Sequence, residues 1–160
     1  MKSLELSKNL TWVGALDPDL RVFDIIMETK FGTTYNSYVL KGSTKTALIE
    51  TAKLKTYDQY IEKVKEVIDP AKVDYIIVNH TEPDHSGSVV KLLQLNPNIE
   101  IYGSALAIEY LREIVNGDFK ARVVTEGDTL NLGDLTLEFI MAPNLHWPDT
   151  MYTYVRETGV

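Results

Sequence analysis

The sequence contains no cysteine. Disulfide bonds, thiolate zinc sites, iron–sulfur clusters and a cysteine nucleophile are therefore excluded within these 160 residues. Any metal bound here must be held by histidine, aspartate and glutamate side chains. Only three histidines are present, so each of them is a candidate metal ligand.

Basic residues are scarce as well, since 16 Lys and Arg stand against 23 Asp and Glu, a formal net charge of −7. Nucleic-acid and anionic-membrane surfaces need clustered Lys and Arg, so neither partner is expected. No stretch approaches the ~20 consecutive apolar residues of a membrane span. The first residues also lack the apolar segment of a signal peptide, and we therefore expect a cytoplasmic protein.

Strand-like and helix-like segments alternate along the chain and predict an α/β fold in one domain, residues 1–160. Residues 33–40 and 45–50 read as a hairpin, and residues 73–78 form a continuous apolar run typical of a buried strand. Helical spacing of apolar residues predicts a helix over about 56–68, with Thr56 and Gln59 as a capping box. Further predicted segments are strands at 11–15, 99–102, 122–125, 135–141 and 151–155, and helices at 86–95 and 104–116. Ser104 is the predicted N-cap of the last helix.

Four metal-competent side chains occupy the six positions of His80-Thr81-Glu82-Pro83-Asp84-His85, directly after the strand predicted at 73–78. Loops at the carboxyl ends of strands are where α/β domains place ligands and catalytic groups. Pro83 restrains Glu82 to extended geometry, and alternate side chains of an extended segment point the same way. His80, Glu82 and Asp84 can therefore converge, with His85 approaching from the turn.

One metal rarely takes four ligands from so short a segment. Two neighbouring metals would use them more naturally, with His80 and Glu82 on one and Asp84 and His85 on the other. The third histidine, His146, also follows a predicted strand. Taken singly, each residue is better explained as a solvated loop residue or a helix cap. As a set, these residues indicate a site for iron, manganese or zinc, with the carboxylates favouring iron.

The hexapeptide resembles a motif of a known family. The metallo-β-lactamase superfamily carries His-x-His-x-Asp-His, and flavodiiron proteins, the cytoplasmic oxygen and nitric oxide reductases, replace its second His by Glu. Residues 32–38 (Gly-Thr-Thr-Tyr-Asn-Ser-Tyr), 47–51 (Ala-Leu-Ile-Glu-Thr) and 146–151 (His-Trp-Pro-Asp-Thr-Met) also match flavodiiron proteins. The resemblance covers essentially the whole chain.

This resemblance implies half of a metallo-β-lactamase-like αββα sandwich, a mixed β-sheet with helices on one side. It implies that His80, Glu82 and His146 bind one iron, and that Asp84 and His85 bind the other. Flavodiiron proteins reduce oxygen to water or nitric oxide to nitrous oxide at the two irons. Their electrons come from an FMN on a flavodoxin-like domain that follows in the same chain and is usually fed by rubredoxin.

The sequence departs from the family pattern after His146. The family's bridging Asp and final His come later than the point at which this sequence ends, and Asp149 is a poor candidate for the bridge. We therefore expect a truncated chain with an incomplete di-iron site, and neither a flavodoxin-like domain nor FMN on it. Glu50 stands where many superfamily members carry Asp, and its extra methylene is expected to alter a hydrogen bond to a metal ligand.

Half a sandwich would leave an apolar sheet face in water, and large exposed apolar patches normally mark interfaces. We expect a homo-oligomer, a second chain that supplies the missing half, or rearranged helices that cover the sheet in a two-layer fold. A flavodoxin- or rubredoxin-type electron donor is the further partner that the resemblance implies.

Three functions are open on the sequence alone. The first is a truncated flavodiiron-type metal-binding protein that holds iron, with zinc possible, and is not a complete reductase by itself. The second is a non-catalytic remnant or interaction module of the superfamily without bound metal. The third is hydrolysis by zinc-bound hydroxide, which Glu82 in place of His disfavours.

Overall fold

The computed structural model describes residues 2–160 of the chain, which fold into β-strands and α-helices in alternation after an N-terminal run of strands. The strands are β1 (Leu4–Ser7), β2 (Leu10–Trp12), β3 (Ala15–Asp17), β4 (Val22–Phe23), β5 (Met27–Glu28), β6 (Thr33–Tyr35), β7 (Tyr38–Lys41), β8 (Thr46–Ile49), β9 (Tyr75–Val78), β10 (Glu100–Gly103), β11 (Lys120–Val123), β12 (Thr129–Asn131), β13 (Thr136–Met141) and β14 (Met151–Val155). The helices are α1 (Tyr57–Val67), α2 (Pro83–Ser86), α3 (Val89–Leu95) and α4 (Ala105–Val115). No helix within residues 2–160 is long and apolar enough to cross a membrane.

A seven-stranded mixed sheet in the order β1-β2-β7-β8-β9-β10-β11 forms the centre of the fold. Strands β1, β2, β7 and β8 pair antiparallel, and β8 to β11 pair parallel. The predicted hairpin of residues 33–50 is confirmed by the pairing of β7 with β8. Because β8 and β9 are parallel neighbours, the residues that follow them emerge at the same edge of the sheet.

Helices pack on one face of this sheet. The buried side chains of this layer include Leu48, Ile76 and Ile101 from the strands, together with Val64 from α1 and Leu111 from α4. Val64 and Leu111 fall on the apolar stripes of their helices, which explains why the helical periodicity of the sequence predicted both α1 and α4. The mixed sheet with helices on one side is confirmed.

A second sheet, in the order β12-β13-β14, packs against the opposite face of the large sheet. Leu137 and Phe139 of β13 point into a core that they share with Ile77 and Tyr102 of the large sheet. The rings of Tyr102 and Phe139 are stacked, with 6.1 Å between their centroids. The apolar face that we expected to be bare or covered by rearranged helices is therefore covered by β-sheet, so the two-layer alternative is wrong.

The N-terminal strands are shorter than the sequence predicted, because the chain changes sheets twice. The strand predicted at 33–40 is divided into β6, which pairs with β3 in a separate sheet, and β7. The strand predicted at 11–15 is interrupted at Gly14, where a Cβ would lie 2.2 Å from the carbonyl oxygen of Tyr35. Only glycine fits at position 14, where the backbone passes this close to that of Tyr35.

Lys63 of α1 binds the backbone of Gly14, where the two segments cross. Its side chain is buried, and its Nζ donates to the carbonyl oxygen of Gly14 at 2.6 Å and to Gln59 Oε1 at 2.8 Å. The ammonium also lies 4.8 Å from the centre of the Trp12 ring, within cation–π range. Burial lowers the pKa of Lys63 below its ordinary value. The lysine thus ties the N-terminal strands to α1.

The two long helices begin and end close to the predicted residues, but the start of α1 differs in its hydrogen bonds. The hydroxyl of Thr56 donates to the carbonyl oxygen of Lys53, and Gln59 exchanges two hydrogen bonds with the backbone of Leu16. The predicted capping box is therefore wrong, because a tertiary contact takes the glutamine.

Helix α4 has the N-cap that the sequence indicates. Ser104 Oγ accepts the N–H of Ala107 at 3.1 Å, and the helix ends at Asn116 in the left-handed conformation, with φ 48°. The same serine hydroxyl donates to the carbonyl oxygen of Asp149 at 2.9 Å. Ser104 therefore fixes both a helix terminus and the loop that follows His146.

Replacing Ser104 with alanine is expected to lower the free energy of unfolding by about 1 kcal/mol, the usual cost of losing an N-cap. Urea denaturation followed by circular dichroism measures this loss. The matched control is Ser43→Ala, because Ser43 is exposed and exposed substitutions usually change stability by less than about 0.5 kcal/mol. Equal stability of the two variants would contradict the capping role.

Candidate metal centre

Three side chains from two distant segments converge at the edge of the large sheet where β8 and β9 end. One ligand-competent atom each from His80, Glu82 and His146 lies within 4.8 Å of the others. His146 Nε2 stands 2.7 Å from Glu82 Oε2, and His80 Nε2 stands 3.5 Å from the same oxygen. The structure thus brings residue 146 to residues 80 and 82, as the sequence predicted.

A second group shares His80 with the first. Glu50, His80 and His85 offer ligand atoms that also lie within 4.8 Å of one another. Glu50 Oε2 is 3.1 Å from His85 Nδ1, and Asp84 Oδ2 is 3.5 Å from His85 Nε2. The rings of His80 and His85 are 4.2 Å apart between centroids. The two groups are therefore adjacent, and His80 belongs to both.

The local backbone explains these positions, with one difference from the prediction. Glu82 is extended, with φ −53° and ψ 142°, as Pro83 requires. Pro83 then starts the short helix α2, so Asp84 and His85 lie on a helical turn and not on an extended segment. The expected alternation therefore holds for His80 and Glu82 only, and Asp84 instead lies beside His85, 3.5 Å from its Nε2.

Glu50 and Asn79 bind the two sheets together beneath the site. The N–H of Asn79 donates to Glu50 Oε1, while its carbonyl oxygen accepts the N–H of Met151 at 2.8 Å. Asn79 Oδ1 accepts from the hydroxyl of Thr153 at 2.7 Å. From the sequence, Glu50 was expected to act only through a ligand, and Asn79 was missed. The position of Asn79 directly before His80 was the one feature of the sequence that could have indicated its role.

Two site residues adopt backbone conformations that are costly for residues other than glycine. Glu50 has φ 61°, and His146 has φ 114°. Such conformations cost about 1–3 kcal/mol each and persist only where the surroundings impose them. Both residues point their side chains into the same small region, so the strain falls at the residues that a metal site would need.

The surroundings of the second group favour positive charge. Burial raises the pKa of the Asp84 carboxyl above its ordinary value. Burial alone would lower the pKa of His85, but the nearby carboxylates, above all that of Glu50, outweigh it and raise that pKa. Carboxylates packed with little solvent around them stabilise a cation placed between them.

The donor set passes a direct test of fit to a metal. Asp84 Oδ1 is buried without a hydrogen-bond partner, whereas Glu50 Oε2 and His85 Nδ1 face each other at 3.1 Å. Buried polar atoms are normally paired, and an unpaired one costs about 1–3 kcal/mol. The unpaired oxygen of Asp84, beside the His85 ring, is explained if it coordinates a cation. A pocket of about 260 Å³, lined by His80, His85 and His146 among others, opens beside them.

The comparison with known proteins agrees with this geometry. Residues 33–160 match the family described as ODP family beta lactamase. The flavo-diiron protein FprA2 of Clostridium acetobutylicum is 44% identical over 162 aligned residues, which cover all of this chain and 40% of that protein. Diflavin flavoprotein A 1 of Synechocystis is 45% identical over 156 residues, covering 97% of this chain and 27% of the relative.

Solved structures show the same fold. The rubredoxin oxygen:oxidoreductase of Desulfovibrio gigas superposes with a TM-score of 0.92 at 31% identity, over 98% of this chain and 39% of that one. The flavodiiron protein of Giardia intestinalis gives a TM-score of 0.91 at 27% identity, over 98% and 38%. The chain thus spans less than half the length of these relatives. It belongs to the ODP family of β-lactamase-fold proteins, and over its whole length it is related to the flavodiiron proteins.

Proposed function

We propose that this chain forms the metal-binding part of a flavodiiron-type reductase of oxygen or nitric oxide. The observation that carries the proposal is the approach of His146 Nε2 to within 2.7 Å of Glu82 Oε2, next to His80. Two imidazoles and a carboxylate from segments 64 residues apart form an open three-ligand set of the kind that catalytic metal sites use.

In this proposal His80, Glu82 and His146 hold one iron, and Asp84 and His85 hold the other. Glu50 orients His85 from behind, since its carboxylate lies against Nδ1 and leaves Nε2 directed to the side of Asp84. A pair of irons supplies redox chemistry for reducing oxygen to water or nitric oxide to nitrous oxide. The remaining ligands, including a bridging carboxylate, would come from outside these residues.

Apolar side chains contribute to the wall of the pocket beside the proposed metals. Leu145, Met151 and Tyr152 line it together with the histidines, and Met151 is buried. A wall of this kind suits small, weakly polar substrates and strengthens the electrostatic interactions within the site. Residues of this chain thus supply ligands, orientation and partial exclusion of solvent.

The partners of this function are also proposals. Residues 1–160 would form one metallo-β-lactamase-like unit, and FMN would be bound by residues outside it. The name of the Desulfovibrio relative includes rubredoxin, which supports an electron donor of rubredoxin or flavodoxin type in the cytoplasm. A homo-oligomer, or a second chain that completes the site, would supply the missing ligands.

The function is tested by measuring iron in the purified chain after anaerobic loading with Fe²⁺ and removal of the excess. We expect at least one iron per chain, and a loss of at least about tenfold in affinity in Glu82→Gln, which keeps the size of the side chain and removes its charge. The matched control is Glu113→Gln on the exposed side of α4, which should bind iron like the wild type.

If the wild-type protein bound no iron, and bound no zinc in a parallel loading, the proposed function would be contradicted. It would favour instead the non-catalytic interaction module, in which the three histidines serve only the fold.

A further inference from the structure

Asp149 and Thr81 form a buried contact between the two loops that carry the proposed ligands. Asp149 Oδ2 accepts the backbone N–H of Thr81 at 2.8 Å and the Thr81 hydroxyl at 2.7 Å. Asp149 is 1% exposed and Thr81 is 2% exposed. The two residues are 68 positions apart in the chain, so this contact is a tertiary link.

Both residues stand next to proposed ligands. Thr81 lies between His80 and Glu82, so fixing its N–H and hydroxyl fixes the backbone from which both side chains project. Asp149 lies three residues after His146, at the end of a tight turn in which Thr150 Oγ1 accepts the N–H of Trp147 at 2.9 Å. The contact therefore joins the turn that carries His146 to the segment that carries the other two ligands.

The ring of His146 has little else to hold it. Its side chain is 57% exposed, and its backbone is held at φ 114°. A buried carboxylate that accepts two hydrogen bonds stabilises a contact more than a neutral acceptor does, because charge-assisted hydrogen bonds are shorter and stronger. The contact between Asp149 and Thr81 thus provides a buried anchor for the turn that carries the exposed histidine.

We propose that Asp149 is a positioning residue, whose carboxylate clamps Thr81 and thereby holds the His146 turn against Glu82. This inference rests on the proposed function, because it assigns to Asp149 the geometry of the first metal position. Asp149 touches neither the proposed metals nor a substrate, and it acts through the two loops. The family resemblance suggested Asp149 only as a poor candidate for a bridging ligand, and its buried contact with Thr81 gives it a different role.

The test is a cobalt titration, in which Co²⁺ bound by histidine and carboxylate ligands is followed by its visible absorption. We expect Asp149→Ala to weaken Co²⁺ binding about 10- to 100-fold, the usual cost of losing a group that orients a ligand. Asp149→Asn, which still accepts hydrogen bonds, should recover much of the loss. Thr81→Val, which removes only the hydroxyl, should weaken binding less than Asp149→Ala, and Thr81→Ser should bind like the wild type.

A double-mutant cycle separates positioning from general loss of structure. If Asp149 positions His146, then His146→Ala should cost little further affinity in the Asp149→Ala background, although it is costly in the wild type. His85→Ala should cost the same in both backgrounds. Full additivity of Asp149→Ala with His146→Ala, or wild-type cobalt binding by Asp149→Ala, would overturn the inference.

A second measurement does not depend on metal. In the metal-free protein, hydrogen exchange of residues 144–149 should become faster in Thr81→Val than in Thr81→Ser, because the turn loses one of its two hydrogen bonds to residue 81. Unchanged exchange in Thr81→Val would refute the clamp even if Asp149→Ala failed to fold. If the wild type bound no cobalt, the proposed function would fail, while the exchange measurement would still decide whether the clamp exists.

Discussion

Replacing His80 with alanine is expected to abolish metal binding, with a fall in affinity of more than about 100-fold. His80 is a proposed ligand of the first iron and also lies in the second group of convergent ligand atoms, so its loss affects the surroundings of both metal positions. Groups that only orient a ligand already cost about 10- to 100-fold when removed, and removal of a ligand itself must cost more. The remaining carboxylates would repel one another without a cation between them.

The measurement is metal stoichiometry and affinity after anaerobic loading with Fe²⁺, with His85→Ala and His146→Ala as comparisons. Each of these changes touches only one of the two groups, so each should leave more metal bound than His80→Ala. Circular dichroism shows whether the variants are folded. Retention of the same metal by His80→Ala and wild type would place the metal elsewhere and remove the proposed assignment.

Replacing Phe139 with alanine is expected to lower the free energy of unfolding by about 3–5 kcal/mol, the usual cost of deleting a buried aromatic ring. Phe139 is fully buried between the two sheets and stacks on Tyr102. The cavity left behind would lie at the centre of the contact that attaches the small sheet. For a chain of this size the midpoint of thermal unfolding should fall on the order of 10 °C.

The control for this prediction is Ile140→Ala, one residue further along β13. Ile140 is 39% exposed, and truncation of a partly exposed side chain should cost less than deletion of a fully buried ring. Thermal and urea unfolding of the two variants measure the difference. If Phe139→Ala and Ile140→Ala were equally stable, the small sheet would not be packed through β13 as described.

Much of the fold could be predicted from local patterns. The apolar run of β9 and the helical stripes of α1 and α4 depend on which residues are buried, and burial shows directly in the periodicity of a sequence. The Ser104 cap was predicted because its hydrogen bond is made three residues along the chain. The resemblance to flavodiiron proteins implied that His80, Glu82 and His146 lie close together, and the structure brings them together.

Most of the features that sequence reasoning did not predict are set by contacts between distant residues. The buried hydrogen bonds between Asp149 and Thr81 leave no periodic signal in the sequence. Gln59 was predicted to cap its own helix, but its side chain accepts a hydrogen bond from the backbone N–H of Leu16 instead. The extended prediction for Asp84 failed because Pro83 suits the first position of a helix as well as it suits a loop. The small sheet was underestimated because local patterns do not show which face of a strand meets which partner.

His146 reaches the proposed metals only after the small sheet has docked on the large one, since it lies in the connection between β13 and β14. The large sheet contains mostly near neighbours in the chain, whereas the approach of residue 146 to residue 82 closes a loop of 64 residues. Closing so long a loop costs more chain entropy than forming contacts between near neighbours, and contacts between distant residues slow folding. Binding of a cation by all three residues therefore requires that the two sheets have already come together, so we expect the cation to stabilise the docked chain.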